Sequence, residues 1–282
     1  MTEEGILNLY RNVLHKEGCD ECPSKDDITF FPSLMNRAPS KQVMLIFESP
    51  GGKGDKNEDD SDLKESKLRN AKAELDRRKA IRGCKESVER ARYITTEQIE
   101  AVIKLSRESF HYYWMVGRQR SFFQRFFSTL AERGVIKLDI ADMDFYIKEG
   151  AEARGYWNDF FVVDAALCHV HSNTKGKAVS ECRGFLERQL RMFEDAPRPS
   201  VRPKLLVVPF GVPALSSITQ ALRKRYTDLP ENEKTSLKIT ECHGCMVKCN
   251  NLFILPLVHP SAHRMTFDCY FDYLREGLRS FL

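Results

Sequence analysis

FVVDAALCHVHSNTKGKAVSEC, residues 161–182, decides the fold. Its opening Phe161-Val162-Val163 is a short apolar run, the pattern of a strand buried on both faces. Asp164 follows, then Cys168 four residues on. A polar loop with His169, His171, Asn173 and Lys175 comes next, and Cys182 opens the following helix. Ligands of α/β folds sit beyond the carboxyl ends of strands. An acid and a candidate metal ligand this close together therefore suggest a site with a structural clamp beside it.

Three further apolar runs, 43–47, 205–208 and 252–258, read as strands of the same kind. Between them lie segments with helical spacing. Residues 2–15 carry Ile6, Leu9, Tyr10, Val13 and Leu14 on one face, and Gly18 stops that helix. Thr95-Thr96-Glu97-Gln98 reads as a helix start. Residues 121–133 bury Phe122, Phe123, Phe126, Phe127 and Leu130, and helices also read at 179–193, 213–226 and 266–282. Strands alternating with helices predict an α/β fold, a three-layer α/β/α sandwich around a short central, mainly parallel four-stranded sheet. Right-handed crossovers then place the loops after Phe47, Val163, Val208 and Val258 on one edge of that sheet. No GxGxxG and no P-loop is present, so dinucleotide and nucleoside-triphosphate binding have no motif behind them.

The 282 residues, 42% of them hydrophobic, are enough for a large core without disulfides. The chain reads as a single domain, 1–282, with a charged helical insertion at about 53–110. The formal net charge of +4 predicts no partner by itself, but residues 64–92 hold eleven Lys/Arg against five Asp/Glu. That stretch reads as an exposed helix or helices, either simply solvated or gripping phosphates in a salt-dependent way. The first residues are polar and amphipathic, and no run approaches the ~20 apolar residues of a membrane span. The expectation is a soluble intracellular protein, cytoplasmic or nucleoid-associated, monomeric and with no membrane partner. Nine cysteines in such a protein point to metal ligation or burial rather than a disulfide framework.

The four strand-end loops carry Glu48-Ser49-Pro50-Gly51, Asp164, Gly211 and His259-Pro260-Ser261. To these the chain adds Cys19-x2-Cys22, and Cys168 and Cys182 with thirteen residues between them. In this order the chain resembles the uracil-DNA glycosylase superfamily, most of all its iron–sulfur branch, the family 4 and family 5 enzymes. The likeness runs through nearly the whole chain apart from the insertion. Glu48-Ser49-Pro50-Gly51 resembles the branch's Gly-Glu-Ala-Pro-Gly water-positioning loop, with Phe47 in place of the first Gly. Trp114-Met115-Val116-Gly117-Arg118 is similar to its Pro-Phe-Val-Gly segment. The strand ending in Asp164 resembles one whose base-reading Asn stands four residues before a cluster cysteine. Val207-Val208-Pro209-Phe210-Gly211, followed by Ala214, resembles the strand–Gly–helix that comes next. His259-Pro260-Ser261 is similar to the His-Pro-Ser loop that enters the minor groove and stabilises the leaving base.

The resemblance implies a monofunctional hydrolase, a DNA-repair glycosidase that cuts the N-glycosidic bond of a flipped, damaged or deaminated base and so initiates base excision repair. His259, Glu48 and Ser49 would be catalytic. Asp164, Met115, Trp114, Gly51 and Pro50 would form the base pocket, and Pro260, Ser261 and Arg264 would meet DNA, single- or double-stranded. Cys19, Cys22, Cys168 and Cys182 would hold a [4Fe–4S] cluster of structural role, four thiolates being its usual complement. Three departures bear on the substrate, the insertion at about 53–110 among them. Asp164 stands in place of Asn, and an ionised carboxylate only accepts hydrogen bonds, where an amide both accepts and donates. That suits an exocyclic amino group better than the O4 of uracil, unless burial keeps the acid protonated. Met115 or Trp114 must replace the stacking Phe.

Other readings stay open at this level. Cys19-Cys22 with Cys242-Cys245 has the spacing of a zinc ribbon. Cys242, Cys245 and Cys249 suit a second metal, with His243 or Cys269, or are simply buried; Cys84 reads as a free thiol. The fold could also serve a catalytically silent, cluster-bearing nucleic-acid-binding protein, or a glycosylase for a different base or for RNA.

Overall fold

The computed structural model describes residues 3–15, 21, 42–48, 61–90, 93–112, 120–137, 159–167, 175–198, 204–225, 239–260 and 265–281. The strands are β1 (Val43–Phe47), β2 (Phe160–Asp164), β3 (Leu205–Pro209), β4 (Val247–Cys249) and β5 (Leu252–Ile254). The helices are α1 (Glu3–Leu14), α2 (Ser61–Glu89), α3 (Thr96–Phe110), α4 (Arg120–Glu132), α5 (Lys175–Asp195), α6 (Val212–Arg225) and α7 (Phe267–Arg279). A single helical turn, Ile239–Cys242, precedes β4.

The sheet runs β2-β1-β3-β5-β4. The first four of these strands are parallel neighbours, and β4 pairs antiparallel with β5. The fold is the expected α/β/α sandwich, but the sheet has five strands rather than four. The added β4 escapes a reading by apolar runs because it is three residues long and buries only Cys249. Asn250 takes φ 55°, a left-handed conformation that Asn tolerates, and turns the chain back into β5. Lys248 on this edge strand discourages pairing with another chain.

Successive strand residues point to opposite faces, and the ring contacts say which face is which. Phe160 meets Phe127 of α4 with ring centroids 5.1 Å apart, whereas Phe161 stacks on Phe193 of α5 at 6.0 Å. The parallel register pairs Val43 with Phe160 and Phe47 with Asp164. Val43, Leu45, Phe47, Phe160, Val162 and Asp164 thus share the α4 face. Helices α4 and α7 pack together on that side; α5 and α6 pack together on the other, with α1 against α5. Phe47 stacks on Phe210 at 4.9 Å and meets Phe110 of α3 edge-on at 5.1 Å. Such aromatic pairs add about 0.5–1.5 kcal/mol each beyond their buried area.

The basic stretch forms one long helix, and it is not wholly exposed. Ala73, Arg77, Ile81 and Cys84 of α2 are buried, a stripe at helical spacing, and α2 packs along α3. The stripe is hard to read because two of its four members are small and one is charged. Cys84 is a free thiol, as expected, and burial pushes its pKa up to about 11. The start of α3 is also as expected. Thr95 accepts the Gln98 N–H while the Gln98 side chain accepts the Thr95 N–H, a reciprocal capping box. Among the described residues no helix is long and apolar enough to cross a membrane.

Helix α7 docks on the turn after Cys242 through two glycines. A methyl group on Gly277 would collide with the Gly244 carbonyl oxygen and would lie 2.6 Å from Leu255 Cδ1. Gly→Ala inside a helix ordinarily stabilises by up to about 1 kcal/mol. Gly277→Ala is expected to destabilise instead, by about 1–3 kcal/mol, because overpacking a closed contact outweighs the helix propensity. A urea midpoint in the variant equal to or above the wild-type midpoint would contradict this contact.

Candidate functional site

Strand order decides where the site lies. From β1 the chain first adds β2 on one side, then crosses to β3 on the other. The crevice of such a sheet opens at this switch point, beyond the carboxyl ends of β1 and β3. Glu48 follows β1 and is half-buried. Its carbonyl is fixed by the Ala166 N–H at 3.0 Å, one step beyond the bond from the Ala165 N–H to the Phe47 carbonyl at 2.8 Å. The end of β1 is therefore tied to the chain that follows Asp164.

Beyond β3, Phe210 continues the ladder to Leu257, and Gly211 turns the chain into α6. Gly211 has φ +87°, a conformation that strains any residue with a side chain. Its N–H donates to the Leu257 carbonyl at 2.8 Å, and its own carbonyl accepts the Leu215 N–H at 3.1 Å. A Cβ on Gly211 would lie 3.3 Å from His259 Cβ, 3.8 Å from His259 Cδ2 and 3.8 Å from Glu48 Oε2. The carboxylate and the imidazole thus approach one point directly above this glycine. Residues 211 positions apart in sequence are brought to one place by the meeting of β1, β3 and the chain beyond β5.

Asp164 ends β2 level with Phe47 and is only 2% exposed. It shares the face covered by α4, and α3 and α4 are the helices that residues 113–119 connect. Phe47, the departure from Gly in the first loop, is 1% exposed and serves as core. His259 and Pro260 are half-buried.

Cys182 lies within α5, about two turns past its start at Lys175 rather than at the helix opening. It is buried, and α1 packs against the same helix. Cys19, Cys22, Ser49, Pro50, Gly51, Trp114, Met115, Cys168, Ser261 and Arg264 lie outside the described residues.

The second cysteine group has another use. Cys242 and Cys249 are buried, whereas Cys245 and Cys269 are exposed. Burial chiefly, then the neighbouring Cys245, pushes the Cys242 thiol up to about 11. Among the described residues no three His, Cys, Asp or Glu side chains gather as a metal site. His243 is 4% exposed, and its Nδ1 accepts the Val258 N–H at 3.0 Å. Sequence reading passed over Gly211 as the spacer between Glu48 and His259. The signal available for it was a lone glycine between an apolar run and a helix. It passed over the hydrogen-bonding part of His243 as well, because the flanking cysteines suggested a ligand.

No family model matches the chain, and no curated protein matches it.

Proposed function

We propose that the chain is a DNA-base glycosylase, a monofunctional hydrolase of the uracil-DNA glycosylase type. The observation that carries this reading is the convergence of Glu48 and His259 over Gly211 at the switch-point crevice, with Asp164 buried on the adjoining strand end. A base must leave the stack to be cut, at a cost of a few kcal/mol. Cleavage of the N-glycosidic bond then builds positive charge on the sugar and negative charge on the base. His259, in its neutral form, donates a hydrogen bond to the carbonyl oxygen of the departing base, as an oxyanion donor does. Glu48 comes to the same point through its Oε2. Its carboxylate faces the sugar, tolerates the developing cation and orients the attacking water. Ser49 and the glycines after it complete that loop. Asp164 reads the base edge, and Trp114 or Met115 stacks on its face.

A [4Fe–4S] cluster on Cys19, Cys22, Cys168 and Cys182 fits the donor set. The burial of Cys182 on α5, against which α1 packs, supports it. The cluster would pin the segment after α1 to the loop after β2 and takes no part in the bond cleavage. Pro260, Ser261 and Arg264 would meet the DNA backbone.

Which base is cut turns on Asp164. Oligonucleotides carrying uracil, hypoxanthine, xanthine or cytosine, followed by alkaline cleavage of abasic sites, test the activity. Cleavage of one of them supports the reading; intact binding with no cleavage of any leaves the silent-protein alternative. Asp164→Asn supplies the missing donor. It is expected to raise the rate on uracil relative to cytosine by ~10-fold or more, since one well-placed hydrogen bond to a buried polar group is worth about 1–3 kcal/mol. An unchanged ratio would remove Asp164 from the base-reading role.

A further inference from the structure

The chain that carries His259 has lost its strand partner by the time it reaches Val258. Leu257 still belongs to the ladder: its N–H donates to the Pro209 carbonyl at 3.0 Å, and its carbonyl accepts the Gly211 N–H at 2.8 Å. At Gly211 the neighbouring chain departs into α6. Val258 is 2% exposed, so its N–H and C=O are shut away from water just where the ladder stops. Buried backbone groups in that position need partners.

Both partners are side chains from elsewhere. His243 Nδ1 accepts the Val258 N–H at 3.0 Å, and the Tyr270 hydroxyl donates to the Val258 carbonyl at 2.8 Å. The two side chains also support each other, with ring centroids 4.4 Å apart, and the Tyr273 ring meets the imidazole edge-on at 5.6 Å. Their own supports are rigid. Gly244, at φ +73°, donates its N–H to the Pro256 carbonyl at 2.9 Å, and a Cβ there would come 2.7 Å from the Tyr273 carbonyl oxygen. The turn therefore sits pressed between the chain after β5 and helix α7. An imidazole whose Nδ1 accepts carries its proton on Nε2 and must be neutral. Burial first, against a smaller opposing pull from the Tyr270 backbone, lowers the His243 pKa to about 4, so the accepting form is the one present at neutral pH.

We propose that His243 and Tyr270 are positioning residues that clamp Val258 from both sides and so fix the imidazole of His259 over Gly211. Resting on the glycosylase reading above for its chemistry, the clamp accounts for why a polar His and a Tyr hydroxyl are buried under this loop. A donor aimed at a departing base works only if its direction is fixed in advance. A misplacement of about 1 Å costs on the order of 10²-fold in rate.

The test uses the full-length protein and two variants, Tyr270→Phe, which removes one hydroxyl, and His243→Asn. In single-turnover assays on whichever oligonucleotide the wild type cuts, Tyr270→Phe is expected to lower base release by roughly 10–100-fold. Oligonucleotide Kd should stay within about two-fold, as expected when only a transition-state interaction is lost. A merely structural role would lower the unfolding midpoint but leave the rate per folded molecule unchanged, and that result overturns the proposal. A second readout does not depend on the activity. In isotope-labelled protein, both variants should shift the ring resonances of His259. His243→Asn should also speed hydrogen exchange at the Val258 amide by roughly 10-fold or more, while the Leu206 amide in β3 keeps its protection. Unchanged His259 resonances in both variants overturn the clamp. If the wild type cuts no base but the resonances shift, the clamp stands and the glycosylase reading fails.

Discussion

Replacing His259 by Ala is expected to lower single-turnover base release by about 10²–10³-fold, the usual cost of removing one preorganised donor to a developing anion. The effect should fall on the chemical step. His259 is half-buried and sits above Gly211, so truncating it removes a donor without opening the core. Oligonucleotide affinity should change little, because contacts to phosphates carry most of it. The unfolding free energy should stay within the small range of surface substitutions, about ±0.5 kcal/mol. Base release at the wild-type rate in His259→Ala would remove the imidazole from the mechanism.

Gly211→Ala is also expected to be damaging, for a different reason. At φ +87° an added Cβ is strained, and it would stand 3.3 Å from His259 Cβ and 3.8 Å from Glu48 Oε2. The backbone strain alone should cost about 1–2 kcal/mol of stability. The new methyl group also fills the point that Glu48 and His259 share, and His259 must give way by a few tenths of an ångström. A loss of roughly 10-fold in base release is expected, less than the ~10²-fold of a full ångström's misplacement. Gly134→Ala is the matched control. Gly134 has φ +66°, but nothing lies within 4 Å of its Cβ position. It should show the same kind of stability loss with activity per folded molecule intact. Equal activity losses in the two variants would mean that strain, not crowding of the Glu48–His259 pair, is responsible.

The parts of the fold that could be read from sequence are those whose pattern is local. Val43–Phe47 is five consecutive apolar residues, and the structure buries all five. The capping box at Thr95 and Gln98 needs only four residues of sequence. β4 failed because its burial is one residue deep and its pairing with β5 depends on Asn250 turning the chain. The site was half legible. Glu48 and Asp164 follow or end their strands as read, and parallel topology predicts that such ends share an edge; His259 lies five residues beyond β5, which ends at Ile254 and not at Val258. That Glu48 and His259 meet over Gly211 is a matter of register between β1, β3 and the residues beyond β5, and no periodicity in the chain carries it. His243 is the clearest case of a hidden function. Its role is set by Val258, fifteen residues away, and by Tyr270, twelve residues further on, through hydrogen bonds that only the packed structure defines.

If Glu48 and His259 act over Gly211 as proposed, the protein breaks an N-glycosidic bond. The most direct measurement identifies both products when the full-length protein is incubated with deaminated-base oligonucleotides: the free base, by chromatography and mass, and the strand left behind. Release of the intact base and an uncut strand carrying an abasic site are expected, with both products abolished together in His259→Ala. Absence of free base from every oligonucleotide that the protein binds, or base release that survives His259→Ala unchanged, would contradict that mechanism.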